Sequence, residues 1–274
     1  MLPVERLEQP TQPNVAADGT PVIELTEVYK AFGPLEVLQG VSAKIQPRQT
    51  TVIIGESGVG KSVVLKHVVG LLHPDRGQVF YHGQVVGDMN SQELAQLRTN
   101  FGFLFQMSAL FDSLTVGQNV AFPLTEHRDW PPEQVEHVVA QKLRMVGLEG
   151  IQDKKPADLS GGQRKRVALA RAIALDPEVI LYDEPTTGLD PPRADVINEL
   201  IIKMKRETGS TGIVVTHDMA SATKVADRIL MLYQGRFIFD GSPDQVASTD
   251  DQRVVRFVRG RASEEDLRSL QDGS

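Results

Sequence analysis

The sequence contains no cysteine, which excludes a disulfide framework, a thiolate metal site and a cysteine nucleophile and is consistent with a reducing compartment. It has no run of ~18 apolar residues, so no stretch of it can cross a bilayer as a helix. Positive charge is the minority sign: 29 lysines and arginines stand against 36 acids, for a net charge of −7. That balance argues against non-specific nucleic-acid binding, although it leaves room for a local basic patch. Hydrophobic residues at 41% and charged residues at 24% of 274 positions describe an ordinary globular chain with length for one large domain. Met1 to Pro21 carries charges and prolines without an apolar stretch and reads as a loosely attached leader, not a secretory signal.

What is present is organised around Gly55-Glu56-Ser57-Gly58-Val59-Gly60-Lys61-Ser62, followed by Val63. The β-branched run Thr50 to Ile54 before it reads as a buried strand, and Val63 to Val69 after it as a helix. Strand, glycine-rich turn and helix form the context that a G-x-x-x-x-G-K-[ST] phosphate loop requires. Glycines let backbone N–H groups curl around phosphates at a positive helix end; Lys61 reaches the outer phosphates, and the Ser62 hydroxyl is placed for Mg²⁺. The expected ligand is a nucleoside triphosphate.

Along the chain, Val22 to Leu25 predicts a short strand, Lys30 to Pro34 a turn presenting Phe32, and Val37, Val41 and Ile45 further short strands. Pro74 to Gly77 predicts a turn, Gln78 to Tyr81 a strand, and Ser91 the cap of a helix ending near Arg98. From about residue 107 to 175 strand signals give way to helical ones, over 115–122, 132–146 and 162–175. Strands resume at 179–182, 212–215, 229–233 and 237–239, with a helix over 195–207. Alternation of strands and helices predicts an α/β fold, a P-loop NTPase core with a mainly parallel sheet and an inserted helical subdomain.

Further candidates are weak one at a time. The strand Val179 to Tyr182 ends in Asp183 and Glu184, at the carboxyl end where ligands sit in parallel sheets. Neighbouring residues of an extended stretch point apart, so one carboxylate can serve the metal and the other a water. Ser160-Gly161-Gly162-Gln163 opens a helix and offers a second anion-binding end, although such a sequence is usually just a cap. His217 follows a buried strand, Gln106 ends another, and Phe32 is ordinarily a core residue.

Taken in order, the phosphate loop, Gln106, Leu159 to Gln163, Asp183-Glu184, Gly188-Leu189-Asp190 and His217 resemble the nucleotide-binding subunit of an ABC transporter, over roughly residues 22–242. The resemblance implies N-terminal antiparallel strands beside the core. It also implies an ATP sandwich, in which the phosphate loop of one copy closes on Ser160, Gly161, Gly162 and Gln163 of a second copy. In that reading Phe32 stacks on adenine, Ser62, Gln106 and Asp183 surround Mg²⁺, Glu184 polarises the attacking water, His217 contacts the γ-phosphate and Asp190 bridges the copies. Arg48, where such cassettes commonly carry glycine, Glu56 and Val63 depart from the common pattern.

The stretches 55–66, 104–124 and 253–258 are similar to the ATPases of MCE-domain, Mla-type phospholipid transporters. This implies a peripheral protein at the cytoplasmic face of the inner membrane. Its partners would be an integral-membrane permease, a periplasmic MCE-domain protein and a small STAS-domain protein, with no nucleic acid. A small-solute importer ATPase shares every catalytic motif. A chromosome-acting ABC ATPase would need a heptad insertion or a second cassette, and a phosphate-loop kinase leaves residues 159–163 and His217 without roles. Leu110, Phe111 and Leu114 are expected as an exposed apolar patch that meets the permease. In the tail, 247–274, an amphipathic helix over 251–259 is expected to dock either on its own domain or on a partner subunit.

Overall fold

The computed structural model describes residues 20–261; residues 1–19 of the expected leader and 262–274 of the expected tail lie outside the described residues. β1 (Ile23–Phe32) and β2 (Leu35–Ile45) form one long antiparallel hairpin. Its residues predict several short strands because bulges between Leu25 and Val28 and between Lys30 and Ala31 interrupt the alternation, while pairing continues past them. β3 (Thr50–Ile54) is buried at all five positions, and α1 (Lys61–Val68) starts directly from the glycine-rich turn. β4 (Arg76–Tyr81) and β5 (Gln84–Val85) complete a four-stranded sheet in the order β2-β1-β4-β5. α2 (Ser91–Thr99) is capped by Asn90, not by Ser91. Both types cap well, and the acid three residues on decides: Glu93 returns its carboxylate to the Asn90 N–H.

β6 (Phe101–Leu104) leads into the helical region of α3 (Val116–His127), α4 (Pro132–Met145) and α5 (Gly161–Ala172). α3 runs past Pro123, further than expected. The proline removes one helix hydrogen bond, but Val116, Val120 and Leu124, all fully buried, hold both halves of the helix on one core. The remainder alternates: β7 (Val179–Asp183), α6 (Pro191–Thr208), β8 (Thr211–Thr216), α7 (Met219–Val225), β9 (Arg228–Tyr233), β10 (Arg236–Gly241), α8 (Pro243–Ala247) and α9 (Gln252–Val258).

The second sheet has the order β10-β9-β3-β8-β7-β6 and is parallel except for β10. Successive residues of a strand face opposite sides, so β3 feeds two cores. Val52 and Ile54 join the helices in one, and Ile53 joins α1 and the antiparallel sheet in the other. In register, Ile54 lies beside Thr216 and Asp183 beside Val215. The carboxyl ends of β3, β8 and β7 therefore come level along one edge.

α9 docks on its own chain: Val254 is fully buried in the helix-side core, with Phe257 and Val258 half-buried against it. A helix this short has no stability alone, so that burial holds it. Val254→Ala is expected to cost about 1–3 kcal/mol, read as a lower melting temperature with ATP binding unchanged. A melting temperature equal to the parent's would show that α9 does not anchor here.

Candidate nucleotide-binding site

Glycine is required at two positions of the loop. A Cβ on Gly55 would stand 2.4 Å from the Leu232 carbonyl oxygen, and Gly60 turns into α1 at φ +108°. Lys61 is buried; its Nζ donates to the carbonyls of Gly55 and Glu56 at 2.8 and 2.9 Å and lies 3.6 Å from Glu184 Oε1. Burial lowers the proton affinity of its ammonium, and the Glu184 carboxylate opposes that. The Glu56 side chain is exposed, so the departure from the common pattern there puts no carboxylate in the core.

Ser62 Oγ donates to Asp183 Oδ1 at 2.8 Å, joining the loop to the end of β7 across β8. Burial pushes the Asp183 carboxyl above its ordinary range, against the pull of the Ser62 hydrogen bond. Among the described residues no group of three or more His, Cys, Asp or Glu could hold a metal by itself. Magnesium bound beside phosphates needs only one or two carboxylates, with phosphate and water oxygens completing the shell, so the Ser62–Asp183 pair fits it. Gln106 lies exposed just past β6, and its side chain makes no hydrogen bond to Ser62 or Asp183.

Glu184 is the centre of the site and is buried. Its Oε2 accepts from the Thr187 hydroxyl at 3.1 Å and sits 2.9 Å from His217 Nδ1, while its own N–H donates to the Val215 carbonyl at 2.9 Å. The backbone is left-handed here, at φ +47°, a conformation that non-glycine residues hold only when their surroundings dictate it. His217 therefore meets Glu184 directly, with its ring half-exposed above the carboxylate.

Ser160 caps α5 by accepting from the Gln163 N–H at 3.3 Å, and Gln163 returns its side-chain oxygen to the Ser160 N–H at 2.9 Å. Gly162 lies against Arg193 of α6, and Asp190 caps α6 by accepting from the Arg193 N–H at 3.0 Å. Among the described residues no hydrogen bond or ion pair joins residues 160–163 or Asp190 to the phosphate loop. Phe32 is 46% exposed at the end of β1, with the Lys30 ammonium 5.7 Å from its ring centroid, so it is an exposed aromatic ring and not a core residue. Arg48 occupies a left-handed turn at φ +60°, which explains why glycine suits that position.

Sequence reasoning missed Lys165. It sits in the run Arg164-Lys165-Arg166, where its residue type does not distinguish it from its neighbours, yet it is 5% exposed, and its Nζ donates to the Gln106 carbonyl at 2.9 Å and the Glu184 carbonyl at 3.2 Å. Its spacing of three or four residues from buried Gly162, Ala168 and Leu169 on α5 was the available signal.

Residues 38–187 match the family model described as ABC transporter. The chain is 40% identical over 254 residues to the "Probable ribonucleotide transport ATP-binding protein mkl" of Mycobacterium tuberculosis, covering 91% of this chain and 70% of that protein. It is 36% identical over 241 residues to the "Intermembrane phospholipid transport system ATP-binding protein MlaF" of Haemophilus influenzae, covering 88% and 91%. Among solved structures it is similar to a dimeric ATP-binding cassette in a post-hydrolysis state bound to ADP and Pi, with a TM-score of 0.74, 34% identity, and 81% and 98% of the two chains covered.

Proposed function

This chain belongs to the ABC transporter family as an ATP-hydrolysing subunit, and from that premise we propose that it powers phospholipid movement between the inner and outer membranes of a diderm bacterium. The observation that carries this reading is the likeness to the phospholipid-transport protein of Haemophilus influenzae, which covers nearly the whole of both chains and not the nucleotide motifs alone.

In this reading two copies enclose ATP. Phe32 stacks on the base, the backbone of residues 55–62 and the Lys61 ammonium hold the phosphates, and Ser160 to Gln163 of the second copy close the γ-phosphate side. Ser62, Gln106 and Asp183 would hold Mg²⁺, which would neutralise charge on the phosphates. Glu184 orients a water and takes its proton as the oxygen attacks the γ-phosphorus; as that bond forms, the bond to the bridging oxygen breaks, and ADP and inorganic phosphate leave. His217 holds the Glu184 carboxylate at 2.9 Å and faces the γ-phosphate, and Asp190 lies at the junction of the copies.

The partners are a permease at the cytoplasmic face of the inner membrane, an MCE-domain protein and a STAS-domain protein. The permease surface is the segment after β6. Buried Asn119 pins it, accepting from the Phe111 N–H at 2.8 Å and donating to the carbonyls of Phe111, Leu114 and Thr115. This turns Phe111 outward, 43% exposed and 4.8 Å from the ring of Phe122, with Met107 86% exposed on the same segment. Leu110 and Leu114, expected in the patch, are half-buried instead. Phe111→Asp is expected to leave the subunit folded and ATP-binding while abolishing co-purification with the permease; undiminished co-purification would remove this surface from the account.

The relative named for ribonucleotide transport supports a second reading, an importer of small solutes. Affinity purification of the tagged chain from detergent-solubilised membranes separates the two. An MCE-domain protein in the eluate supports phospholipid transport, and a periplasmic solute-binding protein in its place overturns it.

A further inference from the structure

The helix that begins at Ser160 also grips the strap after β6. Lys165, in its second turn, donates to the Gln106 carbonyl at 2.9 Å, and Arg171, near its end, donates to the Ser108 and Ala109 carbonyls at 3.0 and 2.7 Å. Ser108 and Ala109 both hold left-handed backbone, at φ +63° and +47°, so the strap is bent to meet these donors. The same Lys165 ammonium donates to the carbonyl of Glu184, itself left-handed. One buried cation thus fixes the backbone of the two residues whose side chains face the reacting phosphate in the proposed reading.

We infer that Lys165 is a positioning residue for hydrolysis: it sets Gln106 and Glu184 relative to each other from the helix whose first turn meets the nucleotide of the second copy. The inference rests on the ATPase reading of the site. Methionine and leucine fill volume here but donate nothing, whereas an ammonium brings three donors and reaches both carbonyls at once. Burial lowers the proton affinity of the Lys165 amine, and the Glu184 and Asp183 carboxylates oppose that. A displacement of about 1 Å in such a pair is enough to cost ~10²-fold in rate without a contact to substrate being lost. Closure of a second copy on Ser160 would shift α5, and Lys165 would carry that shift to Glu184 and Gln106 together.

The test is ATP hydrolysis by the full-length chain, with every rate normalised to sites that bind a fluorescent ATP analogue. Lys165→Met is expected to lower kcat ~10²-fold while KM and analogue affinity stay within about threefold of the parent. Lys165→Gln keeps one donor and should fall between the two; if the methionine variant does not fold, the glutamine variant decides by the same split. A normalised kcat within about threefold of the parent, with only a lower melting temperature, makes Lys165 a packing residue and overturns the inference. So does a loss confined to KM. A parent chain that hydrolyses no ATP at any protein concentration, alone or with its membrane partners, is a different failure: it removes the ATPase reading, and this inference with it.

Discussion

Glu184→Gln is expected to reduce ATP turnover by ~10²–10⁴-fold while leaving ATP binding intact. Glutamine keeps the volume and one acceptor oxygen, so the Thr187 hydroxyl bond can survive and the buried pocket is not opened. What is lost is the negative charge to which the water-orienting role is assigned and that sits 3.6 Å from Lys61 and 2.9 Å from His217. Lys61 retains its contacts to the Gly55 and Glu56 carbonyls, and Ser62 retains Asp183, so the phosphate cradle stands. Phosphate release and analogue binding, measured on the same preparation, separate the two effects. Turnover within a few-fold of the parent would take the water-orienting role away from Glu184.

Gly162→Asp should abolish ATP-driven association of two Glu184→Gln chains. Gly162 lies in the first turn of α5 without a positive φ, and an added Cβ would meet only the Arg193 side chain, 3.6 Å away, so the variant should fold. In the sandwich its carboxylate would confront the γ-phosphate in a poorly hydrated gap, where like charges a few ångströms apart repel by several kcal/mol. Light scattering with and without ATP reads the outcome. An ATP-dependent dimer that persists in the double variant would mean that residues 160–163 do not close on nucleotide.

The part of the site made of contiguous residues could be read in advance. Gly55 to Ser62 carries its own context of strand and helix, and Val179 to Glu184 announces a buried strand ending in acids. These signals are local and periodic. Features set by tertiary packing stayed hidden. Lys165 does not stand out between two arginines until α5 is laid on the sheet, and Asn119 becomes a pin for Phe111 only once residues 111–115 fold back over it. Arg48 departs from the common pattern in sequence, and its left-handed backbone makes that departure a matter of turn conformation. Pro123 argued for a helix end, and three buried neighbours overrode it. The fold class followed from alternation of strands and helices; the extent of β1 and β2 did not, because bulges conceal pairing from any pattern along the chain.

The claim that two copies build each hydrolytic site makes turnover a matter of encounter as well as chemistry. Its most direct measurement is the ATPase rate per chain of the purified full-length protein at saturating ATP, over a wide range of protein concentration. The account predicts a rate per chain that rises with concentration and levels off as the dimer fills, with a sharp loss on dilution. A rate per chain that stays constant down to the most dilute sample would contradict it, because a single copy would then be sufficient for hydrolysis.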